Sequence, residues 1–315
     1  MIECRLYDEQ NRETWNKFVT NAVNSHFFFY RTFLDYHEDR FFDFSLIFLD
    51  TLSGKIIAVF PANKVENTIY SHQGLTFGGM IYERDMTSFK MIQIFDVMQK
   101  FLLKNGICKV IYKKIPSIYY QQINSADDYA LFRCGSRLVA RHLSSFIHLN
   151  QKASYRKNRR WGIKNAIKNG IEVSESTDFN SFWQILESTL FSQHGVKPVH
   201  CLDEISRLKG SFPDNIKLRV AKRSDDILAG AVCFINSNVV HTQYLASSNE
   251  GKKINALDLL IDRTIDEYKL DKRYLNFGIS TEDDGHFLSE GLVSYKESFR
   301  SVSLCQDIYE WPLNE

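Results

Sequence analysis

Two histidines and a tyrosine occupy positions from which a side chain could move a proton. His72 lies in a predicted turn beside Gln73, and His241 lies on a predicted strand with Tyr244 three residues later. Histidine changes its charge near neutral pH, so it suits the base that deprotonates an attacking group. Because side chains alternate along a strand, His241 and Tyr244 are expected on opposite faces unless a bulge separates them. Ordinary packing or a bond to the backbone is the alternative interpretation for each.

A second chemical signal is the segment Val239–Tyr268, which reads as a strand, a polar loop and an amphipathic helix. Such a loop points backbone N–H groups into one concavity, and the helix N-terminus adds a partial positive charge. Lys252 and Lys253 add countercharge. Asn255 is a good N-cap residue, and Asp258 stands where a reciprocal capping acid would. The pattern predicts a diphosphate site, with a plain surface loop as the alternative.

A basic helix is predicted over Ser154–Asn169. Four basic residues recur at every fourth position of it and so share one face: Arg156, Arg160, Lys164 and Lys168. Arg159 lies close by. This stripe could steer a diphosphate-bearing acceptor or contact the acceptor stem of a transfer RNA, and a solvated surface is the alternative.

The composition sets limits on the class of protein. A chain of 315 residues with a net charge of +1 is not a general nucleic-acid binder, so no DNA partner is expected. The N-terminus lacks the pattern of a signal peptide, and no apolar run approaches the roughly 20 residues of a membrane helix. The six cysteines have no metal-binding spacing. We therefore expect a soluble, cytoplasmic protein with reduced thiols and no metal.

The predicted elements divide the chain into two α/β halves with a boundary near residue 148. Each half shows helices, an antiparallel meander, a helix and a further strand, although no sequence repeat is visible. The length also favours two domains. We predict domains at residues 1–148 and 149–315, each with a central, mostly antiparallel mixed sheet flanked by helices.

Several short motifs resemble those of the GNAT superfamily of coenzyme A-dependent N-acyltransferases, and more closely its tandem, Fem-like branch. They are Tyr244-Leu245-Ala246-Ser247, Asn276-Phe277-Gly278 and Gly291-Leu292-Val293-Ser294-Tyr295-Lys296-Glu297-Ser298-Phe299. The resemblance covers roughly residues 145–310, and in the first half mainly Ser71-His72-Gln73-Gly74 and Phe77-Gly78-Gly79. The usual Q/R-x-x-G-x-G/A loop is reduced to Gly251.

The resemblance implies two tandem GNAT-like domains and an acyl-CoA co-substrate bound in the second. The implied acyl-CoA-binding residues are Leu245, Ala246, Ser247, Ser248, Gly251, Lys252, Lys253, Ile254 and Asn255. A backbone N–H near Leu245 or Ala246 would face the thioester oxygen. The first domain would form the acceptor side without coenzyme A. The implied acceptor-binding residues are Gln73, Arg156, Arg159 and Lys296, and the catalytic candidates are His72, His241 and Tyr244.

Three functions follow as hypotheses. The first is an N-acyltransferase that moves an acyl group from acyl-CoA to the amine of a nucleotide-linked amino sugar, such as a dTDP- or UDP-amino-deoxy sugar. It would resemble the sugar N-acyltransferases of surface-polysaccharide and lipopolysaccharide biosynthesis. The second is a Fem-like ligase that uses aminoacyl-tRNA and a peptidoglycan precursor. The third is an inactive GNAT scaffold that only binds a partner.

Overall fold

The computed structural model describes residues 1–151 and 154–313, which belong to two compact units. The first unit contains Met1–His142, Glu282–Phe287 and the chain from Cys305 onward. The second unit contains Leu143–Thr281 and Leu288–Leu304.

Helices and strands alternate along both units. Within the described residues the helices are α1 (Arg12–Asn21), α2 (Arg31–Leu34), α3 (Ser88–Lys104), α4 (Ala126–Arg133), α5 (Lys157–Lys168), α6 (Phe179–His194), α7 (Leu202–Ser211), α8 (Asn249–Lys253), α9 (Ala256–Tyr268) and α10 (Glu290–Glu297). The strands are β1 (Ile2–Leu6), β2 (Phe42–Asp43), β3 (Leu46–Asp50), β4 (Lys55–Phe60), β5 (Asn63–Val65), β6 (Thr68–Tyr70), β7 (Ile81–Tyr82), β8 (Lys109–Lys113), β9 (Arg137–His148), β10 (Glu172–Ser176), β11 (Ile216–Arg223), β12 (Asp226–Ile235), β13 (Val239–Ser247), β14 (Tyr274–Ile279), β15 (Thr281–Glu282), β16 (Phe287–Leu288) and β17 (Val302–Pro312).

The first unit has two sheets. One is antiparallel, in the order β1-β3-β4-β7, and the other has the order β17-β8-β6-β5-β2 with a parallel pair, β6 and β8. Just beyond that pair, the buried ammonium of Lys113 donates to the carbonyl oxygens of His72 (3.2 Å), Gln73 (3.1 Å) and Leu75 (2.9 Å). Lys113 therefore fixes the turn that contains His72.

The second unit is built on the sheet order β10-β11-β12-β13-β14-β9, in which only β13 and β14 are parallel. Helices cover both faces of β12, so its apolar residues form a continuous run instead of alternating with polar ones. Ala231 and Cys233 join a core that includes residues of α9. On the other face, a Cβ on Gly230 would come within 2.3 Å of the Phe182 ring of α6. The close approach of α6 to the sheet requires glycine there.

The mixed α/β class that the sequence predicts is confirmed, and α9 has the predicted bounds. The predicted loop between β13 and α9 differs, because its middle forms the five-residue helix α8. Ser248 caps this helix by accepting a hydrogen bond from the Gly251 N–H at 3.0 Å. The basic helix begins at Lys157, with Arg156 as its N-cap residue.

Candidate active site in the second unit

Strands β13 and β14 are paired over a short distance and then separate. Their parallel register joins Val239–His241 to Tyr274–Asn276. Strand β13 continues to Ser247, and its other edge stays paired with β12 as far as Ala229. The second half of β13 therefore presents one edge to a gap in the sheet. A gap of this kind exposes backbone donors that a bound carbonyl group can use.

A bulge at Gln243 changes which side chains share a face of β13. The register runs from Thr242 opposite Cys233 to Tyr244 opposite Val232, so Gln243 is the extra residue. His241 pairs with Phe234 of β12, and Tyr244 pairs with Val232. Because these two partners are two residues apart on β12, His241 and Tyr244 lie on the same face of the sheet. The simple alternation expected from the sequence does not hold here, because the bulge adds one residue between the two side chains.

The gap opens into a cavity of about 380 Å³, here called the donor cavity. It is lined by Thr189, Leu245, Ala246, Ser247, Gly251, Lys252, Asn255, Leu257, Asp258, Leu292, Tyr295 and Lys296. The wall from β13, α9 and α10 is largely apolar, and Lys252, Asp258 and Lys296 contribute charge. The structure thus brings together six of the nine expected donor-binding residues and Lys296.

Three expected donor-binding residues lie outside this cavity. Ser248 lines a neighbouring groove instead. Lys253 is exposed, and Ile254 packs against the core beneath α9. The cavity also contains residues that the sequence did not single out as ligands, namely Thr189, Leu257, Asp258, Leu292 and Tyr295. Asp258 was expected only as a capping acid, and the Tyr295-Lys296 motif was the available signal for Tyr295.

The ammonium of Lys296 is fully engaged. It donates to Gly278 O at 2.9 Å, Ile279 O at 2.7 Å and Ser280 Oγ at 2.7 Å. A lysine ammonium has three donors, so all three are used. Burial lowers the pKa of Lys296 to about 8, and the ammonium form still predominates at pH 7. Lys296 therefore places a fixed positive charge at the cavity and holds the turn that follows β14.

A buried ion pair closes the opposite side of the cavity. The Arg159 guanidinium of α5 donates to Asp258 Oδ1 in the first turn of α9. It also lies 4.6 Å from the ring centroid of Tyr295, a distance at which a cation is attracted to the ring face. Burial raises the pKa of Asp258, and the charge of Arg159 opposes that rise. Arg159 thus supports the cavity through Asp258 and Tyr295.

The loop before α9 uses many of its own backbone donors. The N–H of Gly251 bonds to Ser248 Oγ, that of Lys252 to Ser248 O, and that of Asn255 to Lys252 O. These three N–H groups are therefore engaged within the loop. Among the described residues, the N–H groups of Ala256 and Leu257 at the start of α9 make no hydrogen bond, so a diphosphate could still use them. The apolar part of the cavity fits an acyl chain and a narrow arm.

The two remaining polar candidates on β13 are His241 and Tyr244, and their protonation follows from their surroundings. Burial, and then the charge of Lys296, lower the pKa of His241 to about 4, so its imidazole is neutral at pH 7. The Tyr244 hydroxyl lies 2.6 Å from His200 Nδ1, and the His200 N–H donates to it at 3.2 Å. Burial raises the pKa of Tyr244 to about 12, so it stays protonated. No sequence pattern indicated a role for His200.

The other expected site residues lie elsewhere. His72 and Gln73 belong to the first unit, where His72 is buried with a left-handed backbone (φ 62°). Gln73 is tied to Asn63, which accepts from its N–H at 2.7 Å and donates to its Oε1 at 2.8 Å. Arg156 forms an exposed ion pair with Glu297 at 3.3 Å.

Gly251→Ala is expected to destabilise the second unit by about 1–3 kcal/mol. A Cβ at residue 251 would come within 2.2 Å of Leu228 O and 2.6 Å of Ser247 Oγ. Gly210→Ala on α7 is the matched control, because a Cβ there meets nothing within 4 Å. The control should raise stability slightly, by about 0.5 kcal/mol. Urea unfolding of both variants measures the difference, and equal midpoints would show that the loop tolerates a Cβ at residue 251.

The comparisons with known proteins concern the whole chain. No family model and no curated protein matches the sequence. Among solved structures, FemX covers 99% of this chain and 98% of its own, with a TM-score of 0.72 and 10% identity. L-PGS from Bacillus licheniformis covers 99% and 94%, with a TM-score of 0.63 and 15% identity. A tandem GNAT protein from the clavulanic acid biosynthesis pathway covers 100% and 99%, with a TM-score of 0.50 and 8% identity.

The chain has a tandem GNAT-like fold. The fold class predicted from the sequence is therefore confirmed. At these low identities the likeness concerns the fold, so substrates have to be argued from the site. None of the helices in residues 1–151 and 154–313 combines the length and apolar character of a bilayer span.

Proposed function

We propose that this protein transfers an acyl group from an activated donor to an amine, with the donor bound in the donor cavity. The observation that carries the proposal is the separation of β13 from β14, which leaves an open strand edge beside a largely apolar cavity. The GNAT-like fold supports the same reaction class. The fixed ammonium of Lys296 adds a positive charge to the cavity wall, which would stabilise negative charge that develops on a carbonyl oxygen bound there.

In the proposed reaction, the nitrogen of a neutral amine attacks the acyl carbonyl carbon. Backbone N–H groups near Leu245 or Ala246 stabilise the oxyanion, the bond to the carrier breaks, and the nitrogen loses its proton. His241, with a pKa of about 4, is too weak a base to deprotonate an alkylammonium. We therefore assign the proton to the departing carrier atom, which leaves as a thiol from acyl-CoA or as a hydroxyl from aminoacyl-tRNA. His241 belongs to the wall beside Gly278, where an added Cβ would come within 3.1 Å of the His241 Cε1.

The first candidate donor is acyl-CoA, and the first candidate acceptor is the amine of a nucleotide-linked amino sugar. Support for both comes from the family resemblance of the motifs around Tyr244 and Lys296. The diphosphate would contact the N–H groups of Ala256 and Leu257 at the start of α9 and the side chains of Lys252 and Lys253. Acyl-CoA would supply an acyl group whose carbonyl is activated as a thioester.

The second candidate donor is an aminoacyl-tRNA. One observation favours it: Asp258 lies in the cavity wall, and among the described residues its Oδ2 accepts no hydrogen bond. A carboxylate there suits the ammonium of an aminoacyl group better than it suits a diphosphate. Under this alternative the acceptor would be a peptidoglycan precursor.

Mass spectrometry on the full chain tests the proposal. The protein is incubated with acyl-CoAs of increasing chain length and UDP- or dTDP-amino sugars, or with aminoacyl-tRNAs and a peptidoglycan precursor. A product heavier by one acyl group, with free thiol released, supports the first candidate. Transfer only from aminoacyl-tRNA, abolished by ribonuclease, supports the second. Failure of the folded protein to transfer from either class would leave a binding scaffold and overturn the proposal.

A further inference from the structure

A second concavity of about 620 Å³ adjoins the donor cavity in the second unit; we call it the polar groove. It lies between one face of α6, the β11–β12 turn and the start of the loop after β13. Its lining residues are Ser181, Gln184, Ile185, Ser188, Thr189, Ser192, Asp225, Asp226, Ile227, Ser247, Ser248, Asn249 and Lys252. Thr189, Ser247 and Lys252 line both concavities. A ligand in the polar groove would therefore reach the wall of the donor cavity.

Many polar side chains of the groove have hydrogen-bonding capacity to spare. In the part of the chain that the structure describes, the side chains of Gln184, Ser188, Asn249, Asp225 and Asp226 make no hydrogen bond or ion pair within the protein. Amide and hydroxyl groups can both donate and accept, and carboxylates accept only. These five side chains are exposed, so the groove offers solvent-facing donors and acceptors that no internal contact consumes.

The charge and composition of this lining indicate which ligand fits. The lining carries two carboxylates and one ammonium, so the groove is a poor site for a diphosphate. It contains no aromatic side chain on which a nucleobase could stack. Its volume lies in the range of about 300–1,000 Å³ that is common for small-molecule sites. An uncharged ligand rich in hydroxyl groups satisfies all three features.

We infer that the polar groove binds an uncharged carbohydrate portion of the acceptor. The hydroxyls of one or two sugar residues would donate to Asp225 and Asp226 and exchange hydrogen bonds with Gln184, Ser188 and Asn249. The groove would then present the acceptor to the donor cavity across Thr189 and Ser247. This inference rests on the proposed acyl transfer to an amine, and it names the chemical class recognised beyond the reacting nitrogen.

The test measures binding separately from turnover. Saturation-transfer NMR and calorimetry are run on the full chain with neutral mono- and disaccharides of glucose, galactose and N-acetylglucosamine, and with UDP alone. We expect at least one disaccharide to bind. Gln184→Ala and Ser188→Phe should weaken that binding by about tenfold or more, because each removes or blocks a hydrogen-bonding group. Glu187→Ala, on α6 but outside the lining, is the control and should not change it.

Each outcome decides one of the two proposals. Saccharide binding that the groove variants weaken supports the groove, even if no acyl transfer is found, in which case only the proposed function fails. Absence of saccharide binding, equal binding in the groove variants, or binding of UDP in preference to the saccharides would overturn the inference. Any of these three results would overturn the inference about the groove even if the protein still transfers an acyl group to a small amine.

Discussion

Lys296→Met is expected to lower kcat/KM for acyl transfer by about 100-fold or more, since it removes a preorganised charge from the cavity. The same change leaves Gly278 O, Ile279 O and Ser280 Oγ without their buried donor. Stranded acceptors of this kind should also cost about 2–4 kcal/mol of unfolding free energy. Turnover by mass spectrometry and urea unfolding measure the two effects.

Two further variants separate charge from folding. Lys197→Met removes an exposed lysine that lines neither concavity and should leave both readouts near those of the unmodified chain. Ser280→Ala removes one of the three acceptors of Lys296 and should lower the unfolding free energy by only about 1 kcal/mol. If Lys296→Met fails to fold, the role of Lys296 can still be tested in this milder variant. Unchanged turnover and stability in Lys296→Met would refute the assigned role.

Arg159→Met is expected to destabilise the second unit by about 3–5 kcal/mol, because it strands the buried carboxylate of Asp258. The side chain of Asp258 is only 5% exposed and that of Arg159 17%, so water screens the pair little. Without Arg159, only the long hydrogen bond from Tyr295 opposes the effect of burial, so the pKa of Asp258 rises further. When the pKa of a carboxyl group is higher in the folded state than in the unfolded state, the group stabilises the protein at low pH. That stabilisation is lost as the pH rises through the folded-state pKa. The deficit of the variant should therefore be larger at pH 8 than at pH 5.

A double-mutant cycle isolates this pair. Asp258→Asn in the Arg159→Met background should restore part of the lost stability, because the stranded charge is gone. Arg160→Met, on an exposed position of the same helix, is the matched control. If Arg159→Met loses the same unfolding free energy at pH 5 and at pH 8, the ion pair does not support the cavity. The same conclusion follows if the double variant is no more stable than Arg159→Met.

The sequence predicted the helices and strands well where the spacing of apolar residues was strongly periodic. Helix α9 and strands β11 to β13 show clear helical or strand patterns, and the motifs around Tyr244 and Lys296 indicated the correct fold class. The sequence showed only in part that the two units share one arrangement of elements. In both units a parallel pair is joined by three residue pairs, and a buried lysine then fixes the following turn, Lys113 in the first and Lys296 in the second.

The candidate site was harder to predict because it depends on tertiary contacts. The bulge at Gln243 is a property of the register between strands, and no local pattern marks it. Asp258 reads as a capping acid in isolation, and only the packing of α5 on α9 makes Arg159 its partner. Three of the loop N–H groups, those of Gly251, Lys252 and Asn255, are engaged in and just after α8, whose short polar sequence resembles any surface turn. The contact of His200 with Tyr244 joins residues far apart in the chain.

The central claim is that the donor cavity holds the acyl group, and photolabelling tests it most directly. The donor that turns over is prepared with a diazirine on its acyl chain, irradiated with the full chain, and mapped by tandem mass spectrometry. We predict labels on Leu245–Ser247, Leu257 and Leu292, which line the cavity, and their loss in Leu292→Trp, which fills it. Labels confined to the first unit, or undiminished labelling in that variant, would contradict the account.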